Sequence, residues 1–105
     1  MANVYNVQLD TSETIIAQGG KTPRNVLTLR LVNTDTTTRT FSLYLYPDGG
    51  SAGDTTIIKK DYPIGTGDDY YFSKEELFRL DHGETLSGIA DVAGKITATI
   101  NYEDK

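Results

Sequence analysis

Two runs of alternating apolar and polar residues constrain this chain more than anything else in it. Leu27, Leu29 and Leu31 alternate with Thr28 and Arg30. After Asn33-Thr34-Asp35-Thr36 and two further threonines, Phe41, Leu43 and Leu45 alternate with Ser42, Tyr44 and Tyr46. A period of two puts the first set of each run on one face of a sheet. The pattern predicts a β-hairpin over 25–32 and 40–46 with one buried and one polar face. It therefore predicts an antiparallel sandwich or barrel. Leu29, Leu31, Leu43, Leu45, Ile96 and Ile100 are the expected core.

The rest of the chain divides into short segments of the same kind. Tyr5, Val7 and Leu9 alternate with Asn6 and Gln8, which predicts a first strand over 4–9; 13–17 is a second. Further strands are expected over 55–60, 69–72, 85–90 and 95–102. In the last of these, Ile96, Ala98, Ile100 and Tyr102 share one face. Gly and Pro clusters at 18–23, 47–54 and 63–69 punctuate the runs. Ser73-Lys74-Glu75-Glu76 matches a capping box. It starts at most one short helical turn near 73–80, because Asp81-His82-Gly83 stops it. The expected fold is all-β: a single antiparallel, jelly-roll-like β-sandwich of about eight short strands spanning 1–105.

Composition narrows the function classes. A chain of 105 residues buries roughly 60–70% of its unfolded surface, so one domain with an unstapled core is feasible. With no Cys there is neither a disulfide framework nor a thiolate metal site. No run approaches the ~18 apolar residues of a membrane span. Residues 1–4 lack the basic and apolar regions of a signal peptide, so synthesis in a cytoplasm is expected. The net charge of −5 argues against nucleic acid as a partner, which calls for a basic footprint. Fifteen Thr and seven Tyr with no Trp suit pleated surfaces, and Tyr also suits interfaces.

Little in the sequence announces catalysis, and no enzyme activity, cofactor or metal is expected. His82 is the only histidine and sits in a turn motif, so a Ser-His or Cys-His arrangement would have to be built on it alone. Asp48 with Asp54, and Asp68 with Asp69, lie in Gly-rich turns without calcium-loop spacing. Gly49-Gly50-Ser51-Ala52-Gly53 lacks the Gly-Lys-Ser/Thr ending of a phosphate loop. Tyr70-Tyr71-Phe72, with Tyr44, Tyr46 and Tyr62, leave a sugar-stacking face open as a second reading. The residues singled out as subunit contacts are Tyr5, Val7, Leu9, Tyr44, Tyr46, Tyr70 and Tyr71. The segment 1–8, with no charge and no Pro, reads either as an ordinary first strand or as an arm that pairs with a neighbouring chain.

The order of segments carries a resemblance. Val32-Asn33-Thr34-Asp35 is followed by Thr40-Phe41-Ser42-Leu43-Tyr44-Leu45. Then come Ile57-Ile58-Lys59-Lys60 and Leu80-Asp81-His82-Gly83-Glu84-Thr85-Leu86, and a last strand ending Asn101-Tyr102-Glu103. This resembles the small β-sandwich virion proteins of tailed bacteriophages over about residues 12–103. Gly83-Glu84 stands where that pattern has Gly-Asp, and 73–80 is more helix-like than the pattern. The resemblance implies a structural role, most of all as a capsid decoration (cement) protein. Its partners would be the major capsid protein or other virion subunits, with no nucleic acid and no membrane, and self-association into a homo-oligomer is expected. The alternative it leaves is a carbohydrate- or receptor-binding module of a tail component or secreted enzyme.

Overall fold

Each alternating segment becomes a strand, and the chain folds back on itself as one long ribbon. A computed structural model describes residues 3–72 and 79–104. Its strands are β1 (Asn3–Gln8), β2 (Thr14–Gln18), β3 (Arg24–Asn33), β4 (Arg39–Tyr46), β5 (Ile57–Ile64), β6 (Asp69–Phe72), β7 (Arg79–Leu80), β8 (Thr85–Ala90) and β9 (Ile96–Asp104). The ribbon turns at the loop between β4 and β5, and these two strands pair antiparallel. Farther along it, β3 pairs β6, β2 pairs β8, and β1 pairs β9. Rolling this ribbon gives two sheets, ordered β1-β9-β3-β6 (with β7 also on β3) and β2-β8-β4-β5. That is the jelly-roll arrangement of a β-sandwich.

The expected hairpin does not form. β3 lies in the first sheet and β4 in the second, so residues 34–38 arch from one sheet to the other. Alternation reports which face of a strand is buried; it does not report whether the next strand pairs beside it or packs opposite it. Asn33 closes the arch. Its side chain is fully buried, and Nδ2 donates to the carbonyls of Thr37 (2.9 Å) and Ile64 (2.8 Å). Its Oδ1 accepts from the Asp35 N–H at 2.8 Å.

Leu29, Leu31, Leu43, Ile96 and Ile100 are buried as expected, while Leu45, near the end of β4, is only partly covered. Leu27 departs from its predicted face. A bulge between Val26 and Thr28 shifts the register against β9, so Val26 enters the core and Leu27 is half-buried. A second bulge in β2 lets Ile16 and Ala17 both point inward. The turn expected over 63–69 begins later, because β5 runs through Pro63 to Ile64. This β5 is an edge strand, where Pro is tolerated. The helical turn expected near 73–80 falls mostly outside the described residues; Arg79 and Leu80 themselves are β7. Residues 3–8 do not stand off as an arm: they form the edge strand beside β9.

Candidate functional site

The side chains of β8 fix which way the second sheet faces. A Cβ placed on Gly88 would meet Leu9 and Ile16 side chains at 3.1–3.3 Å, so Gly88 faces the core. Ser87 therefore faces outward, yet it is fully buried. Its strand partners explain the cover. Ile15 on β2 lies opposite Ser87, Tyr44 on β4 lies on its other side, and Ile57 on β5 lies opposite Tyr44. The four form one row across the outer face. The row beside it holds Gln18, Thr85 and Tyr46, with Gln18 Nε2 donating to Thr85 Oγ1 at 3.0 Å. Among the described residues Ser87 Oγ has no partner within hydrogen-bond geometry.

An outer sheet face is ordinarily polar. Here two isoleucines and a tyrosine cross it, and Ile15 is 48% exposed. Tyr46 is anchored at one side, its hydroxyl donating to Glu13 Oε2 at 2.5 Å. That bond holds the phenol above its usual pKa, with burial adding to the effect.

Ile15 also leads around the edge of the sheet into a groove of about 420 Å³ between β1 and β2, lined by Tyr5, Gln18, Arg24 and Tyr102 among others. The Arg24 guanidinium sits 4.0 Å over the Tyr102 ring and pairs with Asp104 at 2.8 Å. Hydrogen bonding to Asp104 raises the Arg24 pKa, and the same bond lowers that of Asp104. The aromatic–aliphatic row and the groove make one continuous candidate interaction surface.

The outer face of the other sheet has a different character. Asn6, Thr99, Arg30 and Tyr71 form a row across it. Its groups satisfy one another: Thr99 Oγ1 donates to Asn6 Oδ1 at 2.6 Å, and Arg30 donates to Asp69 at 2.7 Å while lying 4.9 Å from the Tyr71 ring centre. On the side of the sandwich where β5 and β6 are the edges, Phe41, Tyr62, Tyr70 and Phe72 form a cluster. Lys59 Nζ lies about 5 Å from the Tyr62 and Tyr70 rings.

The residues singled out from sequence thus separate. Tyr44 and Tyr46 lie on the outer row and its neighbour, and Tyr5 lines the adjoining groove. Val7 packs partly buried against the core, as does Tyr70. Tyr71, 47% exposed, is on the opposite sheet. Leu9 is a correction: at 1% exposure it belongs to the core, seated against Gly88, and offers no contact to another chain. Ile15, Ile57 and Ser87 were not among the contact residues singled out from sequence. The signal for the first two was the doubled Ile15-Ile16 and Ile57-Ile58, since neighbouring strand residues cannot both face one core without a bulge.

His82 is exposed on the turn ahead of β8, where the Glu84 N–H donates to the Asp81 carbonyl at 3.0 Å. Among the described residues no group of three or more His, Asp or Glu side chains is placed to hold a metal ion. Asp69 is committed to Arg30, and Asp48 packs against Gly83. Searches against protein-family models and against curated proteins give no match.

Proposed function

We propose that this chain is a structural protein of a bacteriophage virion, a capsid decoration protein that docks on the shell through the outer face of β2-β8-β4-β5. The observation that carries the reading is the row Ile15–Ser87–Tyr44–Ile57, an apolar and aromatic stripe on a sheet face that would otherwise be polar. Such stripes favour protein contact, because they release water from apolar surface while Tyr keeps a polar tip at the rim. The charge fits a protein partner with basic patches at its surface, since residues 46–91 hold ten acids against four bases. A role without catalysis belongs to the same proposal. The resemblance to small virion sandwiches supplies the particular setting, and the major capsid protein is the partner it names.

A sugar-binding role has less support in the geometry. Stacking on a sugar needs exposed rings presented together. Tyr5, Tyr62 and Tyr71, the exposed tyrosines, lie respectively in the β1–β2 groove, beside the β5–β6 edge and on the opposite outer face.

Electron microscopy of purified virions labelled with an antibody to this chain tests the proposal. Label distributed over the shell is the expected result. Label confined to the tail would replace decoration with a tail role, and virions without label would overturn the reading.

A further inference from the structure

Among the described residues five strands lie at sheet edges, and four are blunted against pairing with another chain. β7, beside β6 on β3, has only two residues. β5 carries Lys59, Lys60, Asp61 and Pro63, its register against β4 is broken twice, and Asp61 has a left-handed φ of 44°. β2 has five residues and a bulge at Ile16. β6 has four residues and begins at Asp69, directly after Asp68. Charge, Pro, bulges and shortness are the devices that keep edges apart. β1 has none of them. Asn3–Gln8 contains no charge and no Pro, and pairs β9 in unbroken register. Val4 and Tyr5 on it are 62% and 46% exposed.

The open atoms of that edge can be assigned. The Leu9 N–H donates to the Ile96 carbonyl at 2.9 Å. Hydrogen-bonding direction alternates along a strand, so Val7, Tyr5 and Asn3 also turn toward β9. The N–H and C=O groups of Val4, Asn6 and Gln8 therefore point away from the sheet. A partner must offer an equally open strand, and the one such edge among the described residues is β1 itself. The charge agrees. Two copies at −5 each repel over most of their surface, and residues 1–9 are the stretch before Asp10 where no charge resists contact.

We infer that two copies of this chain pair β1 to β1 antiparallel about a two-fold axis at Asn6, joining their sheets into one. The register follows from two conditions. Residues opposite one another must share a face, which excludes Tyr5 opposite Asn6. Hydrogen-bonded pairs must use Val4, Asn6 and Gln8. Asn6 opposite Asn6 then gives three such pairs over residues 4–8, with Val4 opposite Gln8 at either end. Centring on Tyr5 gives only two, Val4 opposite Asn6 and the reverse. In the Asn6 register Tyr5 also meets Val7 of the other copy, apolar against apolar. An axis normal to the joined sheet leaves both β2-β8-β4-β5 faces on the same side. The pair then presents two stripes to one surface, a bivalent arrangement, although the pairing itself does not depend on shell docking.

Cysteine cross-linking of the full chain tests register and contact together, because the natural sequence has no Cys. Hydrogen-bonded neighbours lie about 5.5 Å apart at Cα, within disulfide reach. Residues offset by two lie about 7–8 Å apart, beyond it. With oxidised glutathione as oxidant, Asn6→Cys is expected to give covalent dimer, and Tyr5→Cys and the loop control Thr66→Cys to remain monomeric. Wild-type protein is expected to show a concentration-dependent monomer–dimer equilibrium in sedimentation, shifted to monomer by Asn6→Lys with an unchanged far-UV circular dichroism spectrum, and with a thermal midpoint that no longer depends on concentration. Dimer from Tyr5→Cys alone would overturn the register. Wild-type protein that stays monomeric across the concentration range would overturn the pairing, even if it decorates shells.

Discussion

The side-chain amide of Asn33 joins three segments that are far apart or turn away from one another: the end of β3, the arch at Asp35–Thr37, and Ile64 at the end of β5. Replacing it with Ala leaves buried carbonyls and an N–H without partners. Unpaired buried groups cost about 1–3 kcal/mol each where water cannot reach them. Asn33→Ala should therefore lower stability by about 2–3 kcal/mol in urea unfolding, with the m value unchanged. A loss within a few tenths would mean that water replaces the amide. Asp35, in the same arch, accepts a 2.7 Å hydrogen bond from Arg39. That bond, reinforced by the Thr36 N–H, holds its pKa below the usual carboxylate range. The sign follows from linkage. A lowered folded-state pKa stabilises the fold above the unfolded carboxylate's pKa, and the contribution is lost as pH falls through the folded value. Arg39→Met should therefore weaken the wild-type advantage at pH 7 and flatten the loss of stability on acidification below about pH 4. Parallel acid titrations of the two proteins, followed by urea unfolding, check this.

At the level of elements, β1 completes its own sheet, and its ladder with β9 covers the edge of a core strand carrying Ala98 and Ile100. Deleting residues 1–8 should lower the thermal midpoint sharply. A truncated protein with the wild-type midpoint would return this segment to the status of a detachable arm. The loop after β2 is equally committed. The Gly19 N–H donates to the Glu84 carbonyl, and its own carbonyl accepts from Gly83. A Cβ at Gly19 would lie 1.9 Å from the Asp81 carbonyl oxygen, a backbone atom that cannot swing aside. Gly19→Ala should cost about 3 kcal/mol, the upper end for overpacking. A neutral result in the same unfolding assay would require the 81–84 turn to move freely. These elements also show what was legible in the sequence. The strands and their buried faces were readable because alternation follows directly from burial; β6 and β8 fall where the pattern put them. Partnership was not readable, since the runs on either side of Asn33 look the same whether they pair or face each other. The bulges at Val26–Thr28 and Ile16 shifted faces by one residue, which hid Leu27's true position and the exposure of Ile15. Tyr44 and Tyr46 were legible as outward residues, while the row they join became visible only with the strand order.

For the whole molecule, the rolled ribbon sets the two outer faces apart by chemistry. One carries Asn6 hydrogen-bonded to Thr99, and Arg30 paired with Asp69; the other carries Ile15, Tyr44 and Ile57 over a buried Ser87 hydroxyl. Ile15→Glu is a surface change on a 48% exposed residue, so stability should move by no more than about 0.5–1 kcal/mol. Retention on purified shells stripped of this protein should nevertheless fall at least tenfold in a co-sedimentation assay, as a charge is forced against an apolar contact. The central claim is that this protein docks on a shell by that face. Its most direct test is hydroxyl-radical footprinting of the wild-type chain, free and bound to such stripped shells. The account predicts that Tyr44, Tyr46 and Ile15 lose reactivity on binding while Tyr71 keeps it. Protection of Tyr71 with Tyr44 unchanged, or a chain that does not bind the shells at all, would contradict it.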